Sequence, residues 1–109
     1  MERLNDQEAF DNVVQTGELI IMFKHSATCP VSQAAYEEFE KFAQEHPDLK
    51  TYYLIVQEDR PLSNHIAESF HIKHESPQAI LFNNSDCSWH ASHWKITFES
   101  LTKAIEENS

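Results

Sequence analysis

The sequence predicts an α/β chain whose mixed sheet is covered by helices on both faces, in the order α-β-α-β-α-β-β-α with four strands. Three observations carry this. Short, wholly apolar runs recur at Leu19–Phe23, Tyr52–Val56 and Ala79–Phe82, the mark of strands buried on both sides. The segments between them carry apolar residues at helical spacing. The last run leads through a polar turn into a less apolar strand and a final helix, which makes the end of the sheet a hairpin.

Asn5-Asp6-Gln7-Glu8 reads as an N-cap with Glu three residues on. Ala9, Phe10, Val13 and Val14 then share a helical face, and Gly17 stands where a helix-ending glycine belongs. After the first apolar run comes Lys24-His25-Ser26-Ala27-Thr28-Cys29-Pro30, and Pro30 to about Glu45 is a second helix with Val31, Ala35, Phe39 and Phe42 inward. His46-Pro47-Asp48 ends it. Beyond the second run, Pro61 suits a first helical turn, with Leu62, Ile66 and Phe70 as its stripe. Ser76-Pro77 precedes the third run, Asn83–Asp86 is a turn by composition, and a fourth strand spans Cys87 to Ser92. Thr97 caps a last helix bearing Phe98, Leu101 and Ile105. Trp89, Trp94, Tyr52 and Tyr53 read as core and sheet-face aromatics.

The chain has 109 residues, of which 40% are apolar, which predicts one domain over residues 1–109 with a single core. Eighteen acids against eight bases give a net charge of −10, which argues against nucleic acid or an anionic membrane as partner. Gly17 is the only glycine, and that removes P-loops and dinucleotide fingerprints. No apolar run approaches the ~20 residues of a membrane span, and the first residues lack the pattern of a secretory signal. Two cysteines are too few for a disulfide framework. The expected compartment is the cytoplasm.

A Cys-Pro at the strand-to-helix corner, with a Ser-Pro ~50 residues later opening the third strand, resembles the thioredoxin fold across nearly the whole chain. Members of that superfamily carry Cys-x-x-Cys at this corner. Here the four residues are Cys29-Pro30-Val31-Ser32, so the chain resembles a monothiol member. The string Thr28-Cys29-Pro30-Val31-Ser32 is similar to the Thr-Cys-Pro-Ile/Val-Ser motif of the monothiol bacilliredoxins. That resemblance implies removal of bacillithiol from S-bacillithiolated client proteins, with bacillithiol as co-substrate and no tightly bound cofactor. It also implies that Pro77 is cis, lies against the active sulfur and leaves the backbone of Ser76 free to pair with a client.

The chemistry follows from the corner. A free thiol has a pKa near ~8.5, and placement at a helix N-terminus lowers such values to roughly 3.5–7.5. Cys29 before Pro30 leaves the amides of Val31, Ser32 and Gln33 facing the sulfur, and the Ser32 hydroxyl is expected to add a hydrogen bond to the thiolate. Cys29 is thus the candidate nucleophile, supported by Thr28, Pro30 and Ser32. Between Leu19 and Tyr36 there is no Asp or Glu, whereas Lys24 and His25 lie within it and His71, Lys73 and His74 precede Ser76-Pro77. Lys24, His25, Ser76 and Pro77 are the expected substrate contacts. The plain alternative is that a buried strand excludes acids anyway. His71-x-x-His74, at a helix end, reads as a cap or a solvated pair.

Cys87 is a structural residue on this reading. At ~3.3 Å per residue the strand from Pro77 to Asn83 runs about 20 Å from the active end, and a disulfide needs Cα atoms within ~7 Å. Cys87-x-x-His90-x-x-His93 suggests a metal, but on a regular strand Cys87 and His93 face one way and His90 the other. No metal site is expected. The leading function is thiol transfer: Cys29 attacks the mixed disulfide, the client leaves reduced, and a second low-molecular-weight thiol frees Cys29. Two alternatives stand beside it. One is a glutaredoxin-like iron–sulfur carrier, against which Pro30 counts because those motifs have Gly after Cys. The other is a non-catalytic redox sensor or interaction module.

Overall fold

The computed structural model describes residues 1–108. In chain order the elements are β1 (Glu2–Arg3), α1 (Gln7–Val14), β2 (Ile20–His25), α2 (Pro30–Glu45), β3 (Lys50–Ile55), α3 (Arg60–Phe70), β4 (Gln78–Asn83), β5 (Asp86–Ser92), a 3-10 turn (His93–Lys95) and α4 (Phe98–Asn108). The sheet runs β1-β3-β2-β4-β5. β1 and β2 lie parallel to β3, β4 is antiparallel to β2, and β5 is antiparallel to β4.

The sheet therefore has five strands where four were expected. β1 is two residues, Glu2 and Arg3, paired with Tyr52 and Tyr53. It carries no apolar run, so hydropathy could not reveal it. Backbone pairing and tertiary anchors hold it instead: the Leu4 N–H donates to Tyr53 O at 2.9 Å, the Leu4 side chain is buried, and Arg3 grips Asp59 at 2.9 and 3.2 Å. Because the chain stays extended through Leu4, the α1 cap moves one residue on. Asp6, not Asn5, accepts from the Ala9 N–H at 2.7 Å.

Alternation along β2 divides the core. Ile20 and Met22 face α1 and α3, where Phe10, Leu54, Ile66, Ile80 and Phe82 pack. Ile21 and Phe23 face α2 and α4, against Phe39, Phe42, Leu81 and Leu101. Each such side chain fully withdrawn from water contributes about 1.5–3 kcal/mol. Helix ends are closed by specific side chains. The Ser100 N–H donates to Thr97 Oγ1 at 3.0 Å and the Thr97 N–H to Ser100 Oγ at 2.9 Å, while Glu38 of α2 accepts from the Phe98 N–H at 3.1 Å. Gly17 has φ +76° with open space where a Cβ would stand, so backbone conformation rather than crowding calls for glycine.

The β4–β5 turn places Asn84 and Ser85 at φ 55° and 65°, the two left-handed residues that a tight hairpin needs. The Asn84 N–H donates to Gly17 O at 3.0 Å, and the Ser85 hydroxyl donates to Val14 O at 2.9 Å. A bulge at Leu81/Phe82 shifts the register of β5. As a result Cys87 packs on the α1/α3 side and Trp89 on the α2/α4 side. The same shift puts Cys87 and His90 on one face, contrary to the regular alternation assumed from the sequence. Trp94 also departs from expectation: it sits in the 3-10 turn with 72% of its surface exposed, outside the core.

Candidate active site

β2 ends at His25, the chain turns through Ser26–Thr28, and α2 begins at Pro30 with Cys29 as its N-cap. The local chemistry dictates this corner. A residue before proline is driven to extended backbone, and Cys29 has φ −106° and ψ 120°. Pro30, lacking an N–H, is favoured at the first helical position. The Cys29 side chain makes no capping hydrogen bond, and the residue is half-exposed between exposed Thr28 and Pro30. Its carbonyl accepts from the Gln33 N–H at 3.0 Å. Gln33 is thereby spent within the helix, and Val31 and Ser32 are the first-turn amides without an intrahelical acceptor.

Ser32 is fully buried. Its Oγ accepts from the Ser26 N–H at 2.8 Å and lies 2.9 Å from His25 Nδ1. Burial pushes His25 below the ordinary imidazole range, and its ring packs between Phe23 and Tyr36, with centroids 6.0 and 4.8 Å away. The hydroxyl expected to bond the sulfur is used instead to close the 26–32 loop.

Gln57, in the loop after β3, carried no motif in the sequence. Its Oε1 accepts from the Ala27 N–H at 3.1 Å, and its Nε2 donates to Ser26 Oγ at 2.8 Å and Thr28 Oγ1 at 3.3 Å. Three hydrogen bonds from one carboxamide thus hold the residues that lead into Cys29. Only its place just beyond a strand's carboxyl end, where α/β sheets build their sites, could have marked it. The neighbouring acids do not stay free. Arg3 binds Asp59 at 2.9 Å and Glu58 at 3.5 Å, and buried Asp59 also accepts from the Ile55 N–H at 2.9 Å.

Gln78 pairs with Lys24 across β2 and β4, so Ser76 and Pro77, just before β4, lie at the same end of the sheet as the Cys29 corner. The Ser76–Pro77 peptide is cis, and Pro77 O accepts from the His93 N–H at 3.1 Å. Glu75 beside them is held below the usual carboxylate range, chiefly by a hydrogen bond from Ser92.

Lys24 is not at this mouth. The period of two that sends His25 toward α2 sends Lys24 to the α1/α3 side, where no part of it is exposed. Its Nζ donates to Ser63 O at 3.0 Å and lies 3.2 Å from His74 Nδ1. His74, expected at the surface, belongs to this cluster, 3.1 Å from Ser63 Oγ. His71 is exposed and ends α3 in the left-handed region, at φ 54°. Burial lowers Lys24 to about 8, and burial followed by Lys24 and Arg60 lowers His74. Between pH 8 and 10.5 the unfolded chain holds a proton on Lys24 that the folded chain has released, so stability rises with pH across that window. The expected gain is about 3 kcal/mol. Urea unfolding at pH 7.5 and 10 checks it: the rise should be smaller in Lys24→Met by that amount, and equal slopes in both proteins would reject it.

Cys87 lies at the other end of the sheet, opposite Phe82, with its thiol pushed up by burial and 3.8 Å from Trp89 O. Both cysteines are free. Among the described residues, no three His, Cys, Asp or Glu converge on a metal position, and no helix is long and apolar enough to cross a membrane.

A mixed sheet between two helical layers, with an unpaired cysteine capping the helix after β2 and a cis-proline at the same end, defines a thioredoxin-fold thiol–disulfide oxidoreductase. Residues 2–101 match the family described as Monothiol bacilliredoxin BrxC. The chain belongs to that family. It is also similar to a solved structure described as "A putative oxidoreductase with a thioredoxin fold", at 42% identity and TM-score 0.89, over 94% of this chain and 91% of that one. Mitochondrial thioredoxin 3 from Saccharomyces cerevisiae superposes with TM-score 0.78 at 16% identity, covering 98% and 94%. Thioredoxin from Trypanosoma brucei brucei gives 0.78 at 15%, covering 96% and 87%; these two share the fold. Family membership implies thiol-modified client proteins and bacillithiol as co-substrate.

Proposed function

We propose that this protein removes bacillithiol from S-bacillithiolated proteins in the cytoplasm, with Cys29 as the nucleophile. The observation that carries this reading is the half-exposed Cys29 sulfur at the N-cap of α2, free of any capping bond, with Ser32 in the place of a second thiol. The Cys29 thiolate attacks the bacillithiol sulfur of the client disulfide. One S–S bond forms between Cys29 and bacillithiol, the client S–S bond breaks, and the client leaves as a thiolate that takes a proton from water. A second low-molecular-weight thiol then attacks the Cys29–bacillithiol bond and departs as a mixed disulfide, restoring Cys29. The first-turn amides of Val31 and Ser32, without intrahelical acceptors, lie at the same corner as the sulfur, and the backbone of Ser76 pairs with the client beside Pro77. Thr28 and Pro30 set the sulfur's approach, and His25 borders the same corner.

Intact-mass measurement tests this. Mixed with a bacillithiolated client and no other thiol, the protein should gain one bacillithiol while the client loses one, and peptide mapping should place it on Cys29. Transfer to Cys87, or no transfer from a client that small thiols readily reduce, would overturn the proposal.

A further inference from the structure

The buried cluster behind the sheet is not used by thiol exchange, and it is costly. Among the described residues Lys24 has no carboxylate partner, only Ser63 O at 3.0 Å and His74 Nδ1 at 3.2 Å. A methionine of similar length would fill the same space without desolvating a charge. Loss of the Lys24 ammonium would leave His74 Nδ1 with the Ser63 hydroxyl alone, 3.1 Å away. Chains break such local rules mainly where function requires it.

What the cluster touches is the segment between α3 and β4. His74 receives Lys24 from β2. Gln78, the cross-strand partner of Lys24, donates through Nε2 to Lys73 O at 3.0 Å. Two adjacent residues of that segment are thus held from inside the molecule by two paired residues of the central strands. Ser76 and Pro77 follow after one residue, Glu75, at the end of the sheet where Cys29 lies.

We infer that Lys24 is a positioning residue: through His74 it fixes the segment that presents Ser76 and Pro77 to a client opposite Cys29. This rests on the de-bacillithiolation reading for its substrate. Its effect falls on client association, because Lys24 reaches the loop and not the sulfur.

The test compares the full-length wild type with Lys24→Met, His74→Ala and the double variant. Lys24→Met should melt at a higher temperature than wild type yet show a KM for a bacillithiolated client raised about five- to tenfold, the equivalent of one hydrogen bond. Its kcat and its rate of Cys29 alkylation by iodoacetamide should stay unchanged. His74→Ala should raise KM similarly, and the double variant should add nothing further, since both act through one contact. Amide exchange at residues 73–76 should accelerate in each variant. Unchanged exchange and KM in Lys24→Met would overturn the inference, as would a fall in alkylation rate that parallels turnover. If wild type fails to turn over the client, the de-bacillithiolation reading falls, and the exchange comparison alone decides the role of Lys24.

Discussion

Cys29→Ser should abolish client de-bacillithiolation, by about a thousandfold or more, whereas Cys87→Ser should stay within about twofold of wild type. Serine keeps the shape of the corner and removes its thiol. Cys87 cannot substitute. From Gln78, level with Lys24, to Phe82, level with Cys87, β4 runs ~13 Å, and Cys87 packs on the α1/α3 side while Cys29 tops α2 on the other. A disulfide between them needs Cα atoms within ~7 Å. Burial also pushes the Cys87 thiol up, away from thiolate. Release of bacillithiol from a labelled client measures both variants. A Cys29–Cys87 bridge in good yield after mild oxidation, seen by non-reducing peptide mapping, would make this a dithiol protein.

Phe39→Ala should destabilise the fold by about 3–5 kcal/mol. Phe39 is fully buried at the middle of α2, stacked on Phe23 at 5.1 Å and 15° and beside Phe42 at 6.3 Å. Truncation leaves a cavity beside the Phe23 and Phe42 rings, within the cluster that also holds Leu81 and Leu101. Against a typical total of about 5–15 kcal/mol, the loss is large enough to loosen the helix that carries Cys29. Phe39→Leu, which leaves most of the volume filled, should cost roughly a third as much. Urea unfolding of all three proteins decides this, and a cost below about 1 kcal/mol for the alanine variant would mean that α2 draws its hold from elsewhere.

Much of this architecture was legible because it rests on local signals. The apolar runs of β2, β3 and β4, Pro30 at the start of α2, Thr97 at the start of α4 and the Asn84 turn each follow from residues within a few positions. What was not legible depends on distant partners. β1 forms because Arg3 meets Asp59 and Leu4 meets Tyr53, pairings that no local pattern encodes. The bulge that turns Cys87 away from Trp89 is a register event between two strands. At the site, the corner and Ser76-Pro77 were visible as motifs, but the fold divides Lys24 from His25 by a single step of strand alternation. Two neighbouring basic residues therefore serve opposite sides of the sheet. Gln57 was silent because its three bonds span about thirty residues of chain.

Ser32 differs from cysteine by one atom, yet the surroundings make that atom hard to exchange. Its oxygen, with no surface exposed, knots the 26–32 loop through contacts of 2.8 and 2.9 Å to a backbone N–H and an imidazole. Sulfur is bulkier and a weaker partner in both roles, and His25, pressed against Tyr36, has no room to retreat. A lineage that acquired this serine would thus have little freedom to return to a two-cysteine corner by a single codon change. Once the loop has closed around the hydroxyl, the lack of a second thiol at this corner is built into the packing of the protein and does not hang on one missing sulfur.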